Sequence, residues 1–320
     1  MSGTADYAIE PLDPARLADL ALLMKDAFGD TVDGGFFQWK YSDNPGGRAI
    51  GHIARHRQSG ELAAFYGMIP ERYRWGSVPR RVYQSCDTMT HSGHRRKGLF
   101  QSLARHTYAA AQVDDPGFCA IGFGGPTSTP GFLKMGWAVA FELPYRFRPY
   151  PLTLLPLASG KRARVRRLDT VDDGLVAMIR QSFADRRNGL EASDDFIRWR
   201  LANPLRSYQL WIDDDGAYAI SYRSGDLLLL LDFWEVSAGA GRHVWDAVRA
   251  ESLRPRTKGV LTFAQPVTAY DRRLRDYGLL RNPFGRGPAA DKIPFITLGD
   301  FPGESSFSDW SITPFDHDSF

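Results

Sequence analysis

The first half of the chain alternates between short apolar runs, which are typical of strands, and longer segments with helical spacing. Strand patterns run near residues 8–12, 50–56, 62–73, 81–90, 118–123 and 137–145. Asp13-Pro14 provides a helix cap followed by proline at the first helical position. Apolar residues then recur at helical spacing at Leu17, Leu20, Leu23, Met24 and Phe28, and again at Leu99, Leu103, Ala104, Tyr108 and Ala111. The pattern predicts a mixed α/β fold.

The pattern restarts after a segment rich in proline and basic residues. Prolines 149, 151 and 156 precede Ser159-Gly160-Lys161-Arg162, a composition typical of a linker. We therefore predict a first domain over residues 1–150, a linker over 151–162 and a second domain over 163–320.

Four short motifs recur in the same order in the two halves. They pair residues 9–13 with 165–169, 25–28 with 180–183, Phe36, Trp39 and Asn44-Pro45 with Phe196, Trp199 and Asn203-Pro204, and 134–137 with 276–279. Each match alone is trivial, but the shared order favours a duplicated domain.

Composition narrows the class of protein. The 320 residues include 40 basic and 37 acidic side chains, a net charge of +3, which argues against general binding to nucleic acid. The longest apolar run, residues 227–231, is too short for a membrane span, and the N-terminus lacks a signal-peptide pattern. The only cysteines, Cys86 and Cys119, lie in strand-like segments and fit buried thiols in a reducing cytoplasm. We expect a cytoplasmic protein without membrane or nucleic-acid partners; a homodimer is left open.

The most informative motif is a basic loop between a strand and a helix. Residues 85–100 read as strand, then His94-Arg95-Arg96-Lys97-Gly98, then an amphipathic helix. Unpaired amides and the positive end of the dipole at a helix N-terminus attract anions, and glycine allows close approach. Together with the cations, this pattern predicts a pyrophosphate site. A solvated basic turn before a surface helix is the alternative.

This loop resembles the acyl-CoA-binding motif of the GNAT superfamily of N-acyltransferases, Gln/Arg-x-x-Gly-x-Gly/Ala. Residues 95–100 fit the motif, except that Phe100 replaces the last small residue. The resemblance implies acetyl-CoA as co-substrate, with its pyrophosphate on the amides of residues 96–100 and its pantetheine arm paired with Thr88, Met89 and Thr90. The implied coenzyme residues of the loop are Arg95, Arg96, Lys97, Gly98, Leu99 and Phe100.

A second stretch is similar to the "FPNxxSxxgFxKlGW" run of some GNAT members, which are often linked to polysaccharide or amino-sugar pathways. It spans residues 123–137 and keeps the serine as Ser128, while Gly125 replaces the asparagine. The resemblance places Ser128 and Phe132 beside the thioester end of the coenzyme. It covers residues 7–147 well and the second half only in outline.

The resemblance implies two tandem GNAT-like domains, each with a central mixed, mostly antiparallel sheet flanked by helices. The second half keeps glycines at 239 and 241, but only Arg242 remains of the basic cluster. We therefore expect one coenzyme per chain, with the second domain degenerate and shaping the acceptor site.

Proton transfer has several candidate residues. The tyrosine that commonly serves as acid in the family is matched by Phe132, so Ser128 or Tyr66 would replace it. Period-two alternation places Asp87, Met89 and His91 on one face of a strand. Asp87 is the favoured general base, with His91 behind it, although Asp87 also fits a structural, hydrogen-bonded carboxylate. No metal site is predicted.

The tail at residues 307–320 is acidic and aromatic, and we interpret it as a frayed terminus. The alternative is a C-terminal phenylalanine carboxylate acting as base, as in tandem acetyltransferases of the enhanced-intracellular-survival type.

The predicted reaction is transfer of an acetyl group from acetyl-CoA to a primary amine of a small molecule, an amino sugar or a natural product, by direct attack in a ternary complex. The alternatives are a longer acyl group, a peptide or aminoacyl amine as acceptor, a non-catalytic CoA-binding scaffold, and a nucleic-acid module that uses residues 95–97.

Overall fold

The computed structural model describes residues 4–76, 78–155, 164–184, 186, 188–253, 257–281, 291–299, 301 and 307–318. The first half contains β1 (Tyr7–Pro11), α1 (Leu20–Phe28), α2 (Gly34–Phe37), β2 (Ile50–His56), β3 (Leu62–Trp75), β4 (Val78–Thr90), α3 (Leu99–Asp114), β5 (Cys119–Phe123), α4 (Thr129–Leu133) and β6 (Ala138–Pro149). The second half contains β7 (Val165–Leu168), α5 (Asp173–Ala184), β8 (Asn188–Leu190), α6 (Asp194–Leu201), β9 (Gln209–Asp213), β10 (Ala217–Ser224), β11 (Leu227–Glu235), α7 (Arg242–Ser252), β12 (Gly259–Phe263), α8 (Ala269–Asp276) and β13 (Lys292–Gly299). Short 3-10 helices lie at Pro14–Asp19, Ser92–His94, Leu152–Leu154, Phe307–Asp309 and Pro314–Asp316, and a π-helical turn lies at Gln38–Ser42.

The described strands form one sheet of 13 that runs through both halves. Its order is β1-β2-β3-β4-β5-β13-β6-β12-β11-β10-β9-β7, and β8 pairs with β3. The pairs β4–β5 and β11–β12 are parallel, and the other pairs are antiparallel. The predicted mixed, mostly antiparallel sheet with flanking helices is confirmed.

Strand β6 joins the two halves of the sheet. Residues 138–144 pair with β13, whereas residues 145–149 pair with β12. Because β13 comes from the second half of the chain yet also pairs with β5, the predicted boundary at 151–162 divides the chain but not the sheet. Residues 156–162 of the predicted linker lie outside the described residues, and the domain boundaries stay a prediction.

Helix α3 shows the amphipathic character that its spacing predicts. Leu99, Leu103 and Ala104 are fully buried in a core cluster that also holds Tyr66 and Tyr83 from the sheet. This packing fixes the N-terminal end of α3 next to the end of β4, because the apolar stripe of the helix must face the sheet.

The two copies of one repeated motif are in contact with each other. The indole rings of Trp39 and Trp199 stack with centroids 4.9 Å apart. Each indole Nε1 donates a hydrogen bond of 2.8 Å to the backbone carbonyl of the other tryptophan. This reciprocal contact between matching positions of the two halves supports the duplication.

The tail corrects one prediction. Residues 310–318 are not frayed, because Trp310, Ile312 and Phe315 are buried in the main core. The backbone carbonyl of Asp316 accepts a hydrogen bond of 2.7 Å from Gln84 Nε2 on β4. The apolar side chains between the acidic ones therefore anchor this segment. The C-terminal residue Phe320 lies outside the described residues.

Candidate active site

Strands β4 and β5 stop pairing after two residue pairs, and we call the gap beside their unpaired ends the β4–β5 cleft. The two strands pair only at Tyr83–Ala120 and Gln84–Ile121. Beyond this point β4 still pairs with β3. The register shifts between the pairs Gly67–Cys86 and Phe65–Met89, which marks a β-bulge in β4. Asp87 lies in the bulge with a φ of 43°, which is unfavourable for a residue with a Cβ. Thr88, Met89 and Thr90 thus line an edge of β4 with no strand partner on the β5 side among the described residues.

The predicted anion site lies at the start of α3. Gly98, with a φ of 75°, leads into the helix. Within the described part of the chain, the amides of residues 96–101 donate no hydrogen bond, and the first such bond of the helix is from Ser102 to Gly98. Arg95, Arg96 and Lys97 are exposed around these free amides. Unpaired N–H groups with the positive helix end form an anion site.

Phe100, which departs from the family motif, packs inside the fold. Its ring lies 5.0 Å from that of Phe132 and 5.9 Å from that of Tyr66. A Cβ at position 131 would lie 2.6 Å from the Phe100 ring, so Gly131 makes room for the bulky side chain. Phe132 is also buried in the core, and the coenzyme contacts of Phe100 and Phe132 stay a prediction.

A buried ionic cluster lies behind Asp87. The Lys40 ammonium, which is fully buried, lies 2.8 Å from Asp87 Oδ2 and 2.5 Å from Asp318 Oδ2. The Tyr41 hydroxyl donates a hydrogen bond of 2.8 Å to the same Asp87 oxygen. The sequence analysis did not select Lys40 or Asp318. Lys40 lies between the aromatic residues Trp39 and Tyr41, and Asp318 lies in the tail, so neither belongs to a recognisable motif.

Two members of the cluster, Lys40 and Tyr41, have shifted pKa values. Burial alone lowers the pKa of Lys40, but the carboxylates of Asp318 and Asp87 outweigh burial and hold its pKa above the ordinary value. Burial, followed by the charge of Asp87, raises the pKa of Tyr41 well above its usual range. Lys40 is therefore an ammonium and Tyr41 a neutral donor at neutral pH. Asp87 accepts from both, which fits the structural interpretation of this carboxylate.

The three residues predicted for catalysis lie in separate polar groups. His91 Nε2 is 3.6 Å from Asp26 Oδ1 and 3.4 Å from Glu61 Oε1. Ser128 Oγ accepts a hydrogen bond of 3.1 Å from the Gly125 amide in the turn before α4. Neither shares a hydrogen bond or ion pair with Asp87 among the described residues, so their joint role in catalysis stays a prediction.

Tyr66, the other predicted acid, belongs to a buried hydroxyl network. Its hydroxyl lies 2.9 Å from Ser85 Oγ and 3.1 Å from the Tyr108 hydroxyl, which accepts from the Trp137 indole. Burial raises the pKa of Tyr66 well above its usual range. A fully buried hydroxyl with two polar partners is better suited to holding α3 on the sheet than to protonating a thiolate.

Glu61, His91 and His94 form a polar group beside the loop, and their ligand atoms lie within 4.8 Å of one another. The imidazole rings of His91 and His94 also have hydrogen-bond partners outside this group. The Tyr7 hydroxyl is 2.8 Å from His94 Nδ1, and His91 Nδ1 accepts from the Gly93 amide. The proton of a neutral His91 therefore lies on Nε2, the atom that a cation would need. We infer that this group stabilises the loop.

The second half contains the same loop, but its amides are already occupied. Glu235 Oε2 accepts hydrogen bonds from the amides of Gly239 at 3.1 Å and Gly241 at 2.8 Å, at the start of α7. The Tyr277 hydroxyl donates to the same oxygen at 2.5 Å. A side-chain carboxylate thus lies at the site that matches the free amides of α3.

We expect Glu235→Ala to lower the free energy of unfolding by about 2 kcal/mol, because it leaves two amides and the Tyr277 hydroxyl without their acceptor. Urea denaturation measures the change. Glu142→Ala is the control, since Glu142 pairs with Lys292 at the exposed surface and its loss should cost under about 0.5 kcal/mol. Equal stability of the two variants would contradict the role of Glu235.

A family model described as an acetyltransferase (GNAT) domain matches residues 8–140. The match covers β1 to the start of β6, which is the part that holds the cleft and the basic loop. A search of curated proteins by sequence finds no match.

Two solved structures have a similar fold. A probable N-acyltransferase from Enterococcus faecalis superposes with a TM-score of 0.65 at 10% identity, covering 91% of this chain and 72% of that one. A tandem GNAT protein from the clavulanic acid biosynthesis pathway has a TM-score of 0.62 at 13% identity, covering 93% and 100%. The similarity to a tandem protein over its full length confirms the predicted tandem architecture.

The fold is also shared with the N-myristoyltransferase of Saccharomyces cerevisiae with bound myristoyl-CoA, at a TM-score of 0.60 and 14% identity, covering 92% of this chain and 79% of the other. Acyl chains of different length thus occur on this architecture.

Among the described helices, none combines the length and apolar character that crossing a bilayer requires.

Proposed function

We propose that this chain, whose residues 8–140 match an acetyltransferase (GNAT) domain, is an acyl-CoA-dependent N-acyltransferase that transfers an acetyl group from acetyl-CoA to a primary amine of a small molecule. The observation that carries the proposal is the row of free amides at residues 96–101, at the mouth of the β4–β5 cleft. A diphosphate on these amides would direct the pantetheine arm along the unpaired edge of β4, toward Asp87.

The coenzyme loop has two sources of affinity. The amides at the start of α3 supply directed donors, and Arg95, Arg96 and Lys97 supply charge-assisted contacts. We assign the diphosphate to these groups and the pantetheine arm to the backbone of Thr88–Thr90. In the second half, the matching amides of Gly239 and Gly241 donate to the Glu235 carboxylate instead. This supports one coenzyme per chain.

The reaction proceeds by direct attack in a ternary complex. The neutral amine attacks the thioester carbonyl carbon, the C–N bond forms, and the C–S bond breaks as the thiolate leaves. The amine loses one proton and the thiolate gains one, so the products are an amide and the free thiol. We assign to the Asp87 carboxylate a hydrogen bond to the incoming ammonium. Asp87 takes one proton from the ammonium before the attack and releases it to solvent, and the second proton goes to the thiolate; Lys40 and Asp318 fix the position of Asp87.

We expect Asp87→Asn to lower kcat/KM about 100-fold, because the amide side chain is isosteric but cannot accept a proton. The affinity for acetyl-CoA should change less than about two-fold. In free energy this is less than one ordinary hydrogen bond contributes. Thiol release measures the rate, and calorimetry measures the binding. A wild-type rate in the folded variant would show that Asp87 is only structural.

The acceptor is best identified by mass spectrometry of products from an amine library that includes amino sugars, amino acids and a short peptide with a free N-terminus. An acetylated small amine, with matching thiol release, supports the proposal. Acetylation of the peptide alone would move the acceptor class to peptide amines. Acetyl-CoA binding without product from any amine favours a non-catalytic CoA-binding protein.

The acyl group is tested separately, because the myristoyltransferase fold relative binds a long chain. Acetyl-CoA and myristoyl-CoA compete for one enzyme in the presence of the best amine, and the product ratio reports the preference. We expect the acetylated product to dominate. Dominance of the myristoylated product would overturn the choice of acetyl-CoA and leave the coenzyme site in place.

A further inference from the structure

An acidic residue lies next to the basic coenzyme loop, although this loop is proposed to bind an anion. Asp26 is in the last turn of α1, and its side chain is 26% exposed. A negative charge at this place weakens the attraction of the loop for a diphosphate, because like charges repel. The presence of Asp26 therefore needs an explanation other than its charge.

Asp26 binds the short 3-10 helix at Ser92–His94, which directly precedes the coenzyme loop. Its Oδ2 accepts a hydrogen bond of 2.5 Å from the Ser92 amide, and its Oδ1 accepts one of 2.8 Å from the Ser92 hydroxyl. Mainly through the bond from the Ser92 amide, the pKa of Asp26 lies below its usual value. Asp26 is therefore a carboxylate at neutral pH, and both of its oxygens accept from the same residue.

The end of α1 also contacts the coenzyme loop at a second residue. Arg95 Nη2 donates a hydrogen bond of 3.3 Å to the Ala27 carbonyl. Ala27 is in the last turn of α1, where the helix dipole is negative and carbonyl groups seek partners outside the helix. Helix α1 is itself fixed, because Leu20 and Leu23 are buried in the main core. The chain before the free amides is thus tied to a rigid element at Ser92 and Arg95.

The sheet holds the same segment through His94. Glu61 Oε2, in the turn between β2 and β3, lies 2.9 Å from His94 Nε2, and the Tyr7 hydroxyl on β1 lies 2.8 Å from His94 Nδ1. Residues 92–95 therefore have partners on α1 and on the sheet. Within the described part of the chain, the amides of residues 96–101 donate no hydrogen bond. The contacts fix the approach to the anion site and leave its donors available.

The backbone of the coenzyme loop needs such support. Arg96 has a φ of 64°, in the left-handed region that is unfavourable for a residue with a Cβ. A conformation of this kind persists only where surrounding contacts hold it. The hydrogen bonds of Ser92 and Arg95 to α1 supply these contacts on the N-terminal side. A loop that is already ordered also avoids the loss of affinity that ordering on binding would cause.

We propose that Asp26 is a positioning residue of the coenzyme site: by holding Ser92, it keeps the amides of residues 96–101 in the conformation that binds the diphosphate. The inference rests on the proposed binding of the diphosphate by this loop, and it adds a residue from outside the sequence motif. The charge of Asp26 opposes the binding of an anion, whereas its hydrogen bonds favour it. The sign of the effect of a substitution therefore separates the two roles.

The test is calorimetry of the full chain with acetyl-CoA and with acetyl-pantetheine, which lacks the diphosphate. We expect Asp26→Ala to weaken acetyl-CoA binding about 10-fold, because the loop loses two hydrogen bonds that order it. Binding of acetyl-pantetheine should not change, whereas general damage to the fold would weaken the binding of both donors. If the charge of Asp26 were its main effect, Asp26→Ala would bind acetyl-CoA more tightly than the wild type.

Asp30→Ala is the matched control, because it removes the same charge from an exposed residue just beyond α1. It should not weaken acetyl-CoA binding. Ser92→Ala tests the contact from the loop side, and we expect a loss of about three-fold, since one of the two hydrogen bonds remains. The losses in Asp26→Ala and Ser92→Ala should not add in the double variant, because both changes break the same contact.

Unchanged or tighter binding of acetyl-CoA by Asp26→Ala would overturn the inference, and so would losses that add in the double variant. A wild-type protein that binds both donors equally would mean that the loop does not bind the diphosphate. In that case the proposed coenzyme site fails, and the role of Asp26 fails with it. A wild type that prefers acetyl-CoA, together with an Asp26→Ala variant of the same preference, would overturn only the role of Asp26.

Discussion

Replacing Arg95, Arg96 and Lys97 with glutamate is expected to weaken acetyl-CoA binding about 1000-fold. The change removes three cations next to the free amides of α3 and places three carboxylates there. Charge-assisted hydrogen bonds contribute roughly 1.5–3 kcal/mol each, and a 1000-fold loss corresponds to about 4 kcal/mol. Isothermal titration calorimetry of the folded variant measures the effect.

The control carries the same change in net charge elsewhere on the surface. Arg105, Arg166 and Arg275 are exposed and lie outside the coenzyme loop. Their combined replacement by glutamate should reduce acetyl-CoA affinity less than about five-fold, because exposed charges at this distance are screened by salt. If both triple variants lose affinity equally, the effect is a general field and not a local site.

Replacing Lys40 with methionine is expected to lower the free energy of unfolding by about 4 kcal/mol. Lys40 is fully buried between Asp87 and Asp318, and removing one partner of a buried ion pair leaves uncompensated charge at a cost of roughly 3–5 kcal/mol. Urea denaturation gives the change. Loss of the Asp318 contact should also release the tail and reduce the rate of acetyl transfer.

Lys25→Met is the matched control, since Lys25 is exposed on α1, and its stability should change by less than about 0.5 kcal/mol. The triple variant Lys40→Met, Asp87→Asn, Asp318→Asn should regain a large part of the lost stability, because its buried charges are gone. A Lys40→Met protein as stable as the wild type would show that the cluster contributes nothing to the fold.

The free amides at the start of α3 could be predicted because the pattern that produces them is local. A strand, a basic turn with Gly98 and the start of an amphipathic helix are contiguous in the chain, and the structure places the free amides there. The helical spacing that begins at Leu99 also fixes which face of α3 is buried. A contiguous pattern of this kind determines the local backbone geometry without contacts from distant parts of the chain.

The ionic cluster could not be predicted, because it depends on contacts between distant residues. Lys40 and Asp318 are separated by 278 positions, and the sequence contains no pattern that links them. The same holds for Glu235 and Tyr277, which are 42 residues apart. The sequence indicated the lost basic cluster of the second half, while the carboxylate that fills the amides is visible only in the structure.

The tail was interpreted wrongly because its composition was weighed without its pattern. Its acidic residues suggested a solvated end, yet Trp310, Ile312 and Phe315 are core residues. Asp316 is buried and accepts from the Thr313 amide and hydroxyl at 2.9 Å and 3.0 Å. Acidic residues in a short segment can therefore be part of the core when local caps and distant partners satisfy them.

Strand β13 shows the limit of reading a duplicated sequence as two separate bodies. The repeats predict where the first repeated half ends and the second begins. The stacked indole rings of Trp39 and Trp199 support the duplication. The pairing of residues 292–299 with β5 and β6 depends on which strand edges are free in the first half. That choice follows from three-dimensional packing and leaves no mark in a local pattern.

If the loop at residues 95–100 binds the diphosphate of the coenzyme, two acyl donors that differ in the diphosphate should bind with very different affinities. Acetyl-pantetheine has the same thioester arm as acetyl-CoA but no diphosphate. We predict that wild-type protein binds acetyl-CoA at least 1000-fold more tightly than acetyl-pantetheine, and that the ratio falls below 10 in the Arg95→Glu, Arg96→Glu, Lys97→Glu variant. A ratio that is the same in both proteins would contradict the account.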